Sequence, residues 1–345
     1  GLGSRKSTKI LIKQIQNINP DIIHLHHLHG YYINIKILFN YLKNAKIPIV
    51  WTFHDCWSFT GHCSHFDFIG CNKWKMECNN CPQKKEYPSS IWKDRSKQNY
   101  YLKNKLFNSI ENLTIVSVSN WLNKLVSESF LCNNSRVVIN NGIDLNLFKP
   151  SSNISDVLAK YNINKEFVIL GVAGNWSKRK GLIDFIKLSE LLNEEMFIVL
   201  VGLSKKQILG LPKNILGLEK TENREELNNL FSVADVFVNP TWEDSFPTTN
   251  LEALACGTPV ITYNTGGSIE SVDNDTGFIV EKGDIASLYN SIKQVKKNGK
   301  EFYSNKCRER AVKLYNKDDK FNEYLSLYNR LIQNQAKDGS INESN

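Results

Sequence analysis

No run in this 345-residue chain approaches the ~18 consecutive apolar residues that a membrane-spanning helix requires, so a transmembrane helix is excluded. No signal-peptide pattern opens the chain either, and the expected location is the cytoplasm. Basic runs interleaved with aromatics are missing, which removes nucleic acid from the expected partners. No Gly-x-Gly-x-x-Gly follows an apolar run, which argues against a nicotinamide-dependent oxidoreductase. The opening Gly1-Leu2-Gly3-Ser4 has no strand before it and no Gly-Lys-Ser or Gly-Lys-Thr after it, so it is not a phosphate loop. Internal repeats are absent as well.

What is present is globular. Hydrophobic residues make up 41% and charged residues 23%, and the length accommodates two domains at roughly 150 residues each. The net charge of +8 is spread along the chain, as on a solvated surface. A second reading of that charge is attraction to anionic phosphates, or a peripheral contact with a negatively charged inner-membrane face.

Short apolar runs alternate with helical segments. Strands are expected at 21–25, 48–53, 114–119 and 136–140, then at 167–173, 197–201, 236–239, 259–263 and 278–280. Helices are expected near 32–45, 96–110, 119–129, 181–193, 223–233, 248–256, 284–298 and 300–315. A further helix opens the chain, with Ser4 or Ser7 as N-cap. Val/Ile-rich strands alternating with helices indicate an α/β protein whose parallel sheets are covered on both faces. Polar, turn-rich residues 149–153 place a linker between a domain at 1–150 and one at 151–316. Residues 317–334 form an amphipathic helix with Phe321, Tyr324, Leu325, Tyr328 and Leu331 at helical spacing, which must dock on something, expected to be the first domain. A disordered tail is expected at 335–345.

Residues 239–261 carry the most information. A strand ends at Asn239-Pro240, an acidic loop follows, and a helix begins near Thr248 and stops at Gly257, a suitable C′ residue. Asp244 lies on the loop and Glu252 on the helix, seven residues between them. The helix N-terminus suits phosphate, the crevice beyond the strand ends is where α/β sheets bind ligands, and ionised carboxylates accept hydrogen bonds from sugar hydroxyls. An acid early in a helix also complements the helix dipole, and for Glu252 alone that is the simpler reading.

As a whole the stretch resembles the donor-site motif of glycosyltransferase family 4, the retaining GT-B group: an acid, seven residues, Glu, then Ala and Cys-Gly-Thr-Pro-Val. Four other segments are similar in the same order. They are His54-Asp55 after a strand, Asn141-Gly142-Ile143-Asp144 with Phe148 and Pro150, Lys180-Gly181, and Thr265-Gly266-Gly267 with Glu270. The resemblance implies a GT-B fold, two Rossmann-like domains facing a cleft, with the first domain incomplete. In this chain it begins in a helix just before strand 21–25, where the family has about two further βαβ-sized pieces of roughly 30 residues each. A fragment, N-terminally truncated, is therefore expected.

The resemblance also implies roles. Glu252 would accept from the ribose hydroxyls and Asp244 would face the transferred sugar. Lys180, with Arg179, would neutralise the departing pyrophosphate. Backbone N–H groups at Phe246, Pro247, Thr248 and Thr249 and at Gly266-Gly267 would add dipoles, with Glu270 beside them. His54 would sit across the cleft near the sugar. Retention would proceed by front-face attack, the leaving phosphate taking the acceptor's proton, with no catalytic metal. The implied partners are a UDP- or GDP-sugar and a saccharide or lipid-linked saccharide acceptor of bacterial surface-polysaccharide synthesis. One departure is that the family usually has an Arg a few residues before Lys-Gly. Here Asn175 or Trp176 stands there, so Arg179 is expected to substitute, and Lys178 reads as part of a solvated turn.

His24, His26, His27 and His29 cluster at the end of strand 21–25. Alternate histidines can ligate metal, but the similarity of this segment to the family's Asp-Ile-Ile-His-Leu-His favours a wall of the acceptor site or core packing. Residues 56–87 form a cysteine-rich insertion. Cys63, Cys71, Cys78 and Cys81 read C-x7-C-x6-C-x2-C, with zinc-like spacing in the final pair only. A short loop with little apolar content needs a staple, and a structural zinc would supply one. Buried thiols or a redox-sensitive loop are the other reading. Cys132, Cys256 and Cys307 read as isolated thiols. A rival to the enzyme is a zinc-stabilised, non-catalytic scaffold on a degenerate GT-B fold, against which intact Asp244, Lys180 and Glu252 speak.

Overall fold

The computed structural model describes residues 3–90, 93–164 and 166–342. The chain separates into two compact units, Gly1–Asn140 with Asn322–Asn345, and Asn141–Phe321.

The first unit holds a four-stranded parallel sheet in the order β1 (Ile23–Leu25), β2 (Ile49–Phe53), β3 (Leu113–Ser117), β4 (Ser135–Val138). Val50, Ile115 and Val116 are fully buried, as expected of strands covered on both faces. Trp51, Phe39 and Phe107 form an aromatic cluster with centroids 4.4–5.4 Å apart. Val50, Val116 and Ile139 instead pack on Leu327, Tyr324, Tyr328 and Leu331 of the C-terminal helix Lys317–Asn342. Those helix positions repeat at i, i+3, i+4 and i+7, one apolar stripe. Phe321 and Leu325, counted as part of that stripe from the sequence, are 61% and 55% exposed, because Leu327 takes the inward position. The helix also runs to Asn342, past the expected start of the tail at 335, through the helix-forming Gln335-Ala336-Lys337. Residues 343–345 lie outside the described residues.

The second unit has six parallel strands: β5 (Phe167–Val172), β6 (Met196–Val201), β7 (Ile215–Leu218), β8 (Val236–Asn239), β9 (Val260–Tyr263) and β10 (Gly277–Val280). Their order, β10-β9-β8-β5-β6-β7, is that of a dinucleotide-binding doubly wound sheet. The order reverses between β5 and β8, and the carboxyl ends of two such strands are where doubly wound sheets bind ligands. Ile169, Leu170, Val199, Leu200, Phe237, Val238, Val260 and Ile261 have no exposure, as in any sheet with helices on both sides.

The boundary falls at Asn140, ten residues before the expected domain end at 150. The intervening segment belongs to the second unit because its backbone is used there. Ile143 N–H donates to the Tyr315 carbonyl (2.7 Å) and Lys317 N–H to the Ile143 carbonyl (3.0 Å). A Cβ on Gly142 would lie 2.5 Å from Lys317 Cα, so only glycine fits that approach. Arg308 donates to the carbonyls of Leu145 and Phe148. The 149–153 segment is pinned too, Lys149 N–H to Asn228 and Ser151 N–H to Ser232, and leads into a helix at Ile154–Lys160.

Candidate functional site

Three loops meet beyond the carboxyl ends of β5, β8 and β9, and the backbone ties them together. After β5, residues 174–177 lead into a 3₁₀ turn, Lys178–Lys180, closed by Gly181 at φ 78°. A Cβ on Gly181 would lie 2.2 Å from the Pro240 carbonyl oxygen, so the close approach of the β5 and β8 loops depends on that residue. The Arg179 carbonyl accepts from Trp242 N–H (2.8 Å), which fixes the two loops in register. Gly266, at φ 52°, sits so close that a Cβ would lie 2.0 Å from the Asp244 carbonyl oxygen. Gly267 N–H donates to that same oxygen at 3.1 Å.

This framework sets the charges. Lys180 Nζ donates to Asp244 Oδ2 at 2.6 Å, and both side chains remain partly accessible. The other oxygen of Asp244, Oδ1, accepts from Phe246 N–H at 3.2 Å, an Asx-type turn that holds the carboxylate in place. Arg179 is steadied by Glu243, whose carboxylate lies 3.5 Å from Nε and whose carbonyl accepts from Nη1 at 3.3 Å. Glu243 is only 2% exposed. The helix Thr248–Ala255 begins after Pro247 with no side-chain cap, so its dipole points outward uncompensated by a cap. The Glu252 carbonyl accepts from Cys256 N–H at 3.1 Å, while its carboxylate has no hydrogen-bond partner among the described residues. Burial pushes its carboxyl up to about 7, opposed by Arg224.

The sequence-derived assignments therefore divide. Lys180, Asp244, Arg179, Gly266 and Gly267 are joined by direct contacts, with the Thr248–Ala255 helix and Glu252 in the same unit. The expected ring of backbone donors is smaller than the sequence implied. Pro247 has no N–H, and the N–H groups of Phe246 and Gly267 are already engaged by Asp244. Glu270 contributes its carbonyl to Arg310 and Tyr315. Trp176 is buried with its indole N–H on the Val201 carbonyl, and Asn175 is exposed, so of these three only Arg179 presents a cation.

Residues the sequence reading missed are supports of this framework. Asn250 is fully buried and joins Asn239 (2.8 Å) to Ser271 (2.9 Å), locking β8 to the turn after β9. Trp242 Nε1 donates to Asp184 at 2.7 Å. Asn141, already singled out within its family-like segment, donates through Nδ2 to the Phe246 carbonyl at 3.2 Å. Spacing alone does not reveal such supports, since a buried polar group such as Asn250 is defined by the partners it finds across the fold.

His54 lies in the first unit, at the end of β2. Its Nε2 is 3.0 Å from His26 Nδ1 and its ring stacks on His27. Burial, then the neighbouring imidazoles of His27 and His26, lower its pKa to about 4, so it is neutral at physiological pH. His24 is fixed by Thr52 (2.8 Å) and Tyr328 (2.5 Å), a packing role. Asp55, next in the chain, is buried. Burial opposes its ionisation, but the His29 hydrogen bond, the charges of His29 and His65 and the Trp57 N–H outweigh that, and its pKa lies below the usual range.

Of the four thiols expected to hold zinc, Cys63 and Cys78 are buried and Cys71 and Cys81 half-buried. Cys63 and Cys81 interact directly, which drives the Cys63 pKa up and brings Cys81 down to about 7. Among the described residues, however, Cys63, Cys71, Cys78 and Cys81 do not form a group of ligand atoms mutually within 4.8 Å. The insertion also has an aromatic core. Trp74 is stacked on Phe66 at 5.0 Å and edge-on to Phe59 at 5.3 Å. The buried Lys103 donates to the carbonyls of Trp57 (2.6 Å) and Thr60 (3.0 Å).

Residues 153–314 match the family described as glycosyl transferases group 1, and residues 3–147 match glycosyltransferase family 4. WcaC of Escherichia coli K12, which carries the name of a colanic acid biosynthesis glycosyl transferase, is 26% identical over 78% of this chain and 66% of its own length. The capsular polysaccharide biosynthesis glycosyltransferase CapM of Staphylococcus aureus is 28% identical over 64% of this chain and 62% of its own. The chain thus spans about two-thirds of the length of these curated relatives. Among solved structures, sucrose-phosphate synthase from Thermosynechococcus elongatus superposes with a TM-score of 0.73 at 19% identity, over 96% of this chain and 78% of that one. Anabaena HepE in complex with UDP does so at 0.68 and 18% identity, over 94% and 82%.

Proposed function

Because this chain belongs to glycosyltransferase family 4, with that family's two parallel-sheet α/β domains, we propose that it is a retaining glycosyltransferase. It moves a sugar from a nucleoside-diphosphate donor to a saccharide acceptor, lipid-linked, in bacterial surface-polysaccharide synthesis. The observation that carries the proposal is the Lys180–Asp244 pair, 2.6 Å apart and partly accessible where the sheet order reverses. A cation already held by a carboxylate can exchange that partner for a diphosphate without moving its backbone. Its charge then meets the largest charge developing in the reaction.

In this reading Lys180 and Arg179 hold the departing diphosphate, helped by the start of the Thr248–Ala255 helix. Glu252 accepts from the ribose hydroxyls in its ionised form, and Asp244, released from Lys180, faces the transferred sugar. The leaving phosphate accepts the acceptor's proton, so no enzyme nucleophile and no catalytic metal take part, unlike a retaining hydrolase with its close carboxylate pair. His54, in the first unit, is neutral and available there as a hydrogen-bonding group.

The acceptor class follows relatives such as the Escherichia coli enzyme named UDP-Gal:alpha-D-GlcNAc-diphosphoundecaprenol alpha-1,3-galactosyltransferase, 27% identical over 57% of this chain. That name also makes a UDP-sugar the first donor to try, with GDP-sugars second. An undecaprenyl-type acceptor would bring the protein to the inner membrane face, where its net charge of +8 favours anionic lipid. A cavity of about 250 Å³ in the first unit, lined in part by Tyr31, Trp57, His62 and Arg95, suits a saccharide.

The test is a thermal-shift and turnover screen with UDP- and GDP-sugars, the anomeric configuration of the product being read by NMR. A nucleotide sugar should raise the melting temperature, since it binds the folded state alone. Absence of any shift across the panel would favour a non-catalytic scaffold, and an inverted product would remove the retaining mechanism.

A further inference from the structure

We propose that His27, His29 and Asp55 form a binding site for a first-row divalent transition-metal ion, zinc being the natural occupant. The site lies entirely in the first unit and is independent of the donor-binding loops. Two segments supply it, the residues after β1 and the first residue beyond His54 after β2.

The geometry is that of one face of a coordination polyhedron. His27 Nδ1 and His29 Nε2 are 3.2 Å apart, His29 Nε2 and Asp55 Oδ2 are 2.8 Å apart, and His27 Nδ1 and Asp55 Oδ2 are 3.7 Å apart. Zinc bonds of about 2.0–2.1 Å at tetrahedral angles put neighbouring ligand atoms about 3.3 Å apart. The three observed edges straddle that value. No other group of three or more His, Cys, Asp or Glu side chains among the described residues brings its ligand atoms within 4.8 Å of one another.

The chemistry of the donors agrees. Two imidazole nitrogens and one carboxylate oxygen suit zinc and its neighbours better than magnesium or calcium, which prefer oxygen alone. Three protein ligands leave a fourth position for water. The surroundings also fix the ligands. His29 Nδ1 lies 3.1 Å from Tyr87 Oη, so an Nδ1–H donating to that hydroxyl leaves the Nε2 lone pair directed at the site. Asp55 is held from behind, its Oδ1 accepting from Trp57 N–H at 2.9 Å. His27, with a side chain 53% exposed, gives an ion a path in from solvent.

Without a metal the same three atoms have less to share. A single proton on His29 Nε2 can serve Asp55, and the His27 lone pair beside it then has only the edge of that bond. A cation uses all three lone pairs at once. The bound ion joins the β1 and β2 loops and, through Tyr87, the end of the cysteine insertion. This makes it a structural clamp on the acceptor-side unit.

The whole chain, stripped with EDTA, should bind one equivalent of Zn²⁺ by calorimetry and gain melting temperature as Zn²⁺ is added. The cobalt(II) form should show d–d bands without sulfur-to-cobalt charge transfer. Because His27 is largely exposed, His27→Gln should fold as the parent does, yet lose at least ~100-fold in zinc affinity. Tyr87→Phe should lose about 10-fold, as removal of a partner behind a ligand does. A Cys63→Ser/Cys81→Ser variant should keep the site. The proposal is overturned if the parent binds no Zn²⁺, if His27→Gln binds it as tightly as the parent, or if charge-transfer bands place the ion on the thiols.

Discussion

Replacing Lys180 with alanine separates what its contact with Asp244 does for the fold from what it does for transfer. The pair is close, 2.6 Å, but neither side chain is fully buried, with exposures of 23% and 18%. A partly solvated pair of this kind contributes up to about 1 kcal/mol, or roughly 2–4 °C in melting temperature for a domain of this size. Gly181 and the Arg179 carbonyl, not the lysine side chain, hold the loop against residues 240–242, so the backbone should stay in place. The effect on catalysis is of another order. A cation about 4 Å from a developing unit charge is worth about 4 kcal/mol at an effective dielectric constant near 20. Loss of a single preorganised stabilising group typically costs about 2.7–4 kcal/mol. Lys180→Ala should therefore lower kcat by roughly 10²–10³, and it leaves the Asp244 carboxylate facing the diphosphate without its counter-charge. Steady-state transfer from the best donor in the screen, with circular dichroism melts of both proteins, checks this. A folded Lys180→Ala protein within threefold of the parent rate would refute the reasoning.

Two further outcomes follow from the same site. The Glu252 carboxyl is raised from 4.5 to about 7 in the fold, so between those values the folded state holds a proton that the unfolded chain releases. Unfolding free energy should then decline by roughly 2–4 kcal/mol as pH rises through that window, and urea melts at pH 5 and pH 8 should show the decline in the parent but not in Glu252→Gln. If the ionised form grips the ribose, kcat/KM should rise with pH through about 7 in the parent, and Glu252→Ala should abolish transfer. Gly266→Ala forces a left-handed residue to carry a Cβ 2.0 Å from the Asp244 carbonyl. Transfer should be lost and stability should fall by about 1–3 kcal/mol, as read by donor titration and urea melts.

How much of this was readable before the structure depended on burial. β8, β9 and β5 stand out because strands covered on both faces must be apolar throughout. β7, Ile215–Leu218, was not identified. It lies at the sheet edge, three of its four residues are half-exposed, and Gly217 interrupts the apolar run. Without it the strand order, and so the reversal that positions the site, could not be derived. Asp244 stood out through its spacing from Glu252, whereas Lys180 and Gly266 were singled out only by the resemblance of their segments to the family's motifs. Glu243 and Asn250 were not, because a support residue is defined by what it touches across 60 residues or across a helix, and no spacing rule reports that. The surplus of expected N–H donors has a similar cause, since a sequence does not show which backbone groups the loop consumes in holding itself together.

For the cysteine insertion the composition argument asked for a staple, and the fold supplies an aromatic one beside the thiols. Phe59, Phe66 and Trp74 are scattered over sixteen residues and look too sparse to form a core, yet all three are at most 6% exposed. Their ring contacts join residues 59, 66 and 74 of the loop. Trp74 is the central ring, in contact with both others, and its truncation should cost about 3–5 kcal/mol, the usual loss for a buried aromatic. Lys103, over the Trp57 ring at 3.5 Å and bonded to two carbonyls of the same loop, fastens this core to the helix Ser96–Phe107. If the rings are the staple, Trp74→Ala should open residues 56–87 to limited proteolysis, while overnight chelation of the parent should leave them protected. Cleavage within the insertion after chelation alone, with Trp74→Ala still resistant, would return the structural role to a metal held by the thiols.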